Sequence, residues 1–140
     1  MNKKTKKYDD YISYLGKNRR SFLIVVSQKN EEILEENNLT LLKNILKAGL
    51  LSLDDVMVVN TEQEGFSFLE IRKQARPIYI LVFGVDTKNL GVPHEFELYK
   101  PTKIKAITWI ISHNFVALHS DKTKKLGLWT ALKELECYVS

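Results

Sequence analysis

The chain has 140 residues, 44% of them hydrophobic, a net charge of +4 and a single cysteine. That is the length of one domain with enough apolar material for a core, which excludes a disordered or low-complexity protein. One cysteine, Cys137, excludes an internal disulfide and a cysteine-rich zinc or iron–sulfur centre, and a reducing, cytoplasmic setting is expected.

Charge is uneven along the sequence. Residues 1–20 hold Lys3, Lys4, Lys6, Lys7, Lys17, Arg19 and Arg20 against Asp9 and Asp10, so they carry +5 and the remainder about −1. Such a basic N-terminal arm suits DNA or an acidic protein surface, and a plain solvated terminus accounts for it equally. Within it Tyr8, Ile12 and Leu15 share a helical face ahead of Gly16, which predicts a short helix over Tyr8–Gly16. The apolar runs FLIVV and YILVF are far too short for a membrane span, and SQKNEE follows the first where a cleaved leader needs small residues.

Residues 21–140 read as a single α/β domain. SFLIVVS is a strand buried on both faces. NEEILEENNLTLLKNILKAGL is helical, with Asn37–Asn38 a possible break, Thr40 near the second start and Gly49 at the C-cap. DVMVVN is a second strand, EGFSFLEIRKQA a helix, and RPIYILVFG a third strand that Gly84 ends. VPHEFELY reads as loop or short strand, and IKAITWIIS as the fourth strand. SDKTKKLGLWTALKELE is a closing helix, capped by Ser120 or Asp121, with Leu126, Trp129, Leu132 and Leu135 on its apolar face. Strands alternating with amphipathic helices predict a three-layer α/β/α fold around a central, mostly parallel four-stranded sheet.

In such folds ligands sit beyond the carboxyl ends of the strands. The exits here are Ser27–Gln28, Asn60–Thr61, Gly84 and Ser112–His113–Asn114. None carries a dinucleotide fingerprint, a phosphate loop or a nucleophile elbow, so no cofactor is expected. Of His94, His113 and His119, only His113 stands at a strand exit, where it serves either a pocket or the nearby backbone. His113 and His119 are not spaced for a metal, and no metal is expected. Of the acid pairs, Glu31–Glu32 and Glu35–Glu36 read as the solvated face of a helix, and Asp54–Asp55 precede the second strand, at the end of the sheet opposite the expected site, so none is assigned to acid–base work. The aromatics Phe66, Phe68, Tyr99, Trp109 and Trp129 read as core.

Three blocks, in this order, resemble the uracil-DNA glycosylase-like superfamily: LTLLKNILKAGLLSLDDVMVVNT, RPIYILVFG and ITWIISHNFVALHSDKTKKLGLW. The resemblance covers about residues 22–135. It places Asn60 in the slot of a base-reading asparagine and His113 in that of the catalytic histidine. The departures are as telling. SQKNEEILEEN lacks the glycine-rich, water-positioning loop and its aromatic, and His113 is followed by Asn114 and Phe115 where catalytic members have proline and serine. The ending ALHSDKTKKLGLWTALKEL resembles a non-catalytic branch of that fold, the psi subunit of bacterial DNA polymerase III, which bridges the clamp loader to the chi subunit and docks by its N-terminal segment.

The resemblance therefore implies a binding or scaffold protein of bacterial DNA replication or repair. Its protein partner would lie in the replication machinery, with DNA contact possible through the arm. The alternative is a divergent glycosylase in which His113 stabilises the leaving uracil, Asn60 reads the base edge, and Gln28 or Asn30 holds the water. A third reading is a small-molecule pocket at the strand ends. In the scaffold reading the basic arm, Lys3 to Arg20, takes the acidic partner, and the candidate binding residues at the strand ends are Gln28, Asn30, Asn60, Gly84, His113 and Asn114.

Overall fold

The computed structural model describes residues 5–8, 12–29 and 33–135. Its organising element is a seven-stranded mixed sheet. The strands are β1 (Thr5–Tyr8), β2 (Ile12–Leu15), β3 (Phe22–Val26), β4 (Val56–Asn60), β5 (Tyr79–Phe83), β6 (Thr102–Ile104) and β7 (Ile107–Ser112), in the spatial order β1-β2-β4-β3-β5-β7-β6. The four strands legible in the sequence are β3, β4, β5 and β7, which form the parallel centre. The sequence predicts only those four. The structure adds antiparallel strands at both edges, so the sheet as a whole is not mostly parallel.

Each addition has a local cause. Over Tyr8–Gly16 the sequence predicts a helix, but Ile12–Leu15 is a strand, with Tyr14 and Leu15 paired to Val59 and Val58. Burying Leu15 against the exposed edge of β4 outweighs the helical spacing of three apolar residues. The basic segment is thus partly built into the sheet, while Lys3 and Lys4 lie outside the described residues. At the other edge, IKAITWIIS divides into β6 and β7 around Lys105–Ala106, whose φ values of 48° and 71° are those of a tight hairpin turn. Such turns ordinarily announce themselves with Asn or Gly, and neither is present.

Side chains alternate across the sheet into two apolar layers. Phe22, Ile24 and Val26 of β3 face helix α1 (Glu36–Ala48) together with α3 (Phe115–Ser120) and α4 (Lys122–Lys133). Leu23 and Val25 face α2 (Phe68–Ala75), with Trp109 and Leu90 beside it. All five residues of β3 are fully buried, so both layers depend on it. α1 begins at Glu36, right at the Asn37–Asn38 pair, and residues 33–35 ahead of it are not helical, where the sequence predicts helix. α3 lies where the sequence suggests only a turn, anchored by Phe115 stacked on Phe83 at 4.4 Å between ring centroids.

α4 corrects the predicted apolar face. Its buried positions are Leu128, Ala131 and Leu132, with Leu135 just beyond, while Leu126 and Trp129 point outward. Asp121 caps it, accepting from the Thr123 backbone N–H at 2.9 Å and the Thr123 hydroxyl at 2.6 Å, with Lys124 Nζ at 2.9 Å. The Thr123 hydroxyl, and after it Lys124, hold this carboxyl well below the ordinary carboxylate range. A depressed folded-state pKa gives stability that is present above the unfolded value and lost as pH falls below it. Asp121→Asn keeps a capping side chain but not the charge. It should lower the melting temperature at neutral pH, with the gap to wild type closing in acid.

The end of α1 gives a sharper test. Leu51 N–H bonds to the Leu46 carbonyl at 2.9 Å and Leu50 N–H to the Lys47 carbonyl at 3.0 Å, the Schellman pattern. Gly49 is the C-cap, as the sequence suggests, but the left-handed position is Leu50, with φ 63° and 75% exposure. A left-handed leucine costs about 1 kcal/mol that its exposed side chain does not repay. Leu50→Gly should therefore stabilise the protein by about 1 kcal/mol in urea denaturation, whereas Leu46→Ala, in the core, should cost about 2–5 kcal/mol.

Candidate functional site

The carboxyl ends of β3, β4, β5 and β7 gather most of the residues singled out in the sequence. Asn60, the last residue of β4, is buried, and its side-chain amide lies along the chain leaving β3. Asn60 Oδ1 accepts from Gln28 N–H at 2.9 Å and Glu62 N–H at 3.1 Å, and Asn60 Nδ2 donates to the Gln28 carbonyl at 2.8 Å. The amide thus continues the β3–β4 ladder by one step with a side chain in place of a strand. It satisfies backbone groups that would otherwise be stranded where the strands diverge.

Gln28 extends this contact into a polar chain. Its side-chain oxygen lies 3.5 Å from Asn38 Nδ2 on α1, and Asn38 Oδ1 lies 2.9 Å from His119 Nε2 on α3. The sequence gives no sign that His119 joins this network, because Asn38 and His119 are 81 positions apart. Asn30 lies outside the described residues.

Gly84 and Asn114 close the strand ends between β5 and β7. Gly84 has φ 65°, and a Cβ there would lie 2.6 Å from the Asn114 Cβ, so only glycine lets the two segments touch. Asn114 is the N-cap of α3, its Oδ1 accepting from Ala117 N–H at 2.9 Å. Both residues are accounted for by packing and capping.

His113 is half-buried and bound to Tyr99. The Tyr99 hydroxyl lies 2.6 Å from His113 Nδ1 and accepts the His113 backbone N–H at 3.3 Å. Tyr99 is itself wedged against α4, since a Cβ on Gly127 would come within 3.0 Å of its ring. A glycine in mid-helix is the one sequence signal that could have revealed this close approach. Sequence reasoning assigns Tyr99 to the core and misses its hydroxyl.

Three clefts among the described residues lie near this region, and Asn60 and His113 are not in the walls of these three. One of about 300 Å³ lies beyond β3, β4 and β5, walled by Ser27, Thr61, Glu62, Gly84, Asp86 and Asn89 among others, so of the sequence-predicted binding residues it takes in Gly84. A neighbouring one of about 350 Å³ shares Asp86 and reaches His94 and Phe96. The third, about 620 Å³, lies between α1 and α3 and is lined by Asn37, Asn38, Asn44 and His119 among others. Among the described residues no group of three or more His, Cys, Asp or Glu is placed to hold a metal ion, and no helix is long and apolar enough to cross a membrane.

The arm residues divide. Lys17 lies 3.8 Å from Asp54 and Arg20 3.9 Å from Asp55, so this acid pair, at the far end of the sheet from the strand exits, meets part of the basic segment. Arg19 is exposed. Lys6 and Lys7 fall in β1. No protein-family model matches the chain, and no curated protein matches its sequence.

The roles of Asn60 and His113 can be separated by stability. Asn60→Ala empties a buried site and removes three hydrogen bonds from the part-buried backbone of Gln28 and Glu62, and should cost about 1–3 kcal/mol in chemical denaturation. His113→Ala removes a half-exposed ring with one side-chain hydrogen bond and should cost about 1 kcal/mol.

Proposed function

We propose that this chain is a non-catalytic binding or scaffold protein of bacterial DNA replication or repair, glycosylase-like in fold and akin to the psi accessory subunit of the clamp loader. The observation that carries the reading is the engagement of Asn60. A base-reading asparagine must present its amide to the extruded base, and here the amide is spent on the Gln28 and Glu62 backbone. His113 likewise has its Nδ1 taken by Tyr99. Base capture, water positioning and leaving-group stabilisation must act together for glycosidic cleavage, and the first lacks a free group. The resemblance of the closing helix to the psi branch, together with the basic N-terminal segment, supports a replication partner.

Incubation of the pure protein with single-stranded uracil DNA, followed by alkali, should yield no strand breaks. Breaks that vanish in His113→Ala would replace this reading with that of a divergent glycosylase. Full-length protein should co-purify with clamp-loader components, and charge reversal of Lys3, Lys4, Lys6 and Lys7 should weaken that association. Unchanged association would remove the arm from the interface.

The cleft beyond β3, β4 and β5 favours one second reading, a small polar ligand. Glu62 and Asp86 in its wall disfavour phosphates and suit a free base or an amine. A melting-temperature screen with nucleobases and nucleotides should show shifts for the former alone.

A further inference from the structure

The structure reveals a second basic region that the overall charge conceals. Residues 21–97 carry seven Lys and Arg against twelve Asp and Glu, whereas residues 98–135 carry seven Lys against only Asp121 and Glu134. The near-neutral balance beyond residue 20 is thus the sum of an acidic stretch and a basic one. Four of those seven lysines are on α4.

On α4 the lysines frame exposed apolar groups. Lys122, Leu126, Trp129 and Lys133 recur at spacings of four, three and four, which aligns them in one stripe along the helix. The stripe faces away from the core, which takes Leu128, Ala131 and Leu132. Leu126 is 56% and Trp129 38% exposed, and both lysines are exposed. Lys133 Nζ sits 4.3 Å from the centroid of the Trp129 ring. Lys125, one position N-terminal to Leu126, adds charge to one flank.

From this arrangement we infer that the outward face of α4 is a docking surface for an acidic segment of another protein carrying apolar side chains at its centre. Charge complementarity fixes the class. Lysines at both ends of the stripe attract carboxylates, and the Leu126–Trp129 centre supplies the buried anchor that such interfaces need. A single-stranded nucleic acid fits less well. Base stacking needs an open aromatic face, whereas the Lys133 ammonium covers one face of Trp129 and Leu126 offers no stacking surface. The surface is distinct from the strand-end clefts and from the N-terminal basic segment, and it does not depend on the glycosylase-like reading.

The test uses the full chain and a fluorescein-labelled helical peptide with leucines at alternating three- and four-residue spacing among glutamates. Anisotropy should show salt-sensitive binding. Leu126→Ser, and separately Lys122→Glu combined with Lys133→Glu, should each weaken it about tenfold or more. Melting temperatures should stay near wild type, because the altered side chains are exposed. A peptide with serine in place of leucine should bind about tenfold more weakly. The inference is overturned by any of four results: no binding of the leucine peptide, equal binding by the variants, equal binding of the serine peptide, or displacement of the peptide by oligothymidylate with quenching of Trp129.

Discussion

Everything in this fold is arranged around β3, a strand with no solvent-facing side. Its five residues, Phe22–Val26, are buried completely, with β4 on one edge and β5 on the other. A strand so placed must be apolar at every position, and its two faces must each be covered by a separate layer. α1, α3 and α4 cover one and α2 the other. The neighbours β4 and β5 inherit much the same demand, which is why VMVVN and YILVF also read as continuous apolar runs.

That burial creates a difficulty where the strands end. Backbone groups of a chain leaving the centre of a sheet lose their ladder before they reach water. Asn60 answers this by pairing its amide with both polar groups of the Gln28 backbone. Gly84 and Asn114 answer it differently, by close contact and helix capping. At these exits Asn60 and Asn114 are engaged in holding the fold together, while Ser27, Thr61 and Gly84 border a cleft. The engagement of the Asn60 amide is what supports the scaffold proposal.

The molecule's charge is likewise organised by position rather than by total. Part of the N-terminal basic segment pairs with Asp54 and Asp55, and four further lysines fall on α4. Exposed ion pairs of this kind add little stability. On α4 the exposed Leu126 and Trp129 stand among lysines.

The sequence by itself determined the α/β character, the four central strands and the turn that carries His113, because continuous burial leaves an unmistakable apolar run. It also marked Asn60 and Gly84 as special, since a polar residue or a glycine closing such a run requires a reason. It did not determine the edges. β2 forms because Leu15 can be buried against β4, and β6 because Lys105 and Ala106 accept left-handed backbone, and neither is a local preference. Nor did it settle which leucines of α4 face inward. LGLWTALKEL offers two overlapping apolar stripes, and only packing against β7 and Tyr99 selects Leu128, Ala131 and Leu132. Tertiary structure alone decided the fate of the candidate site, because whether Asn60 and His113 are free or engaged depends on Gln28 and Tyr99, residues brought to them by the fold and not by the chain.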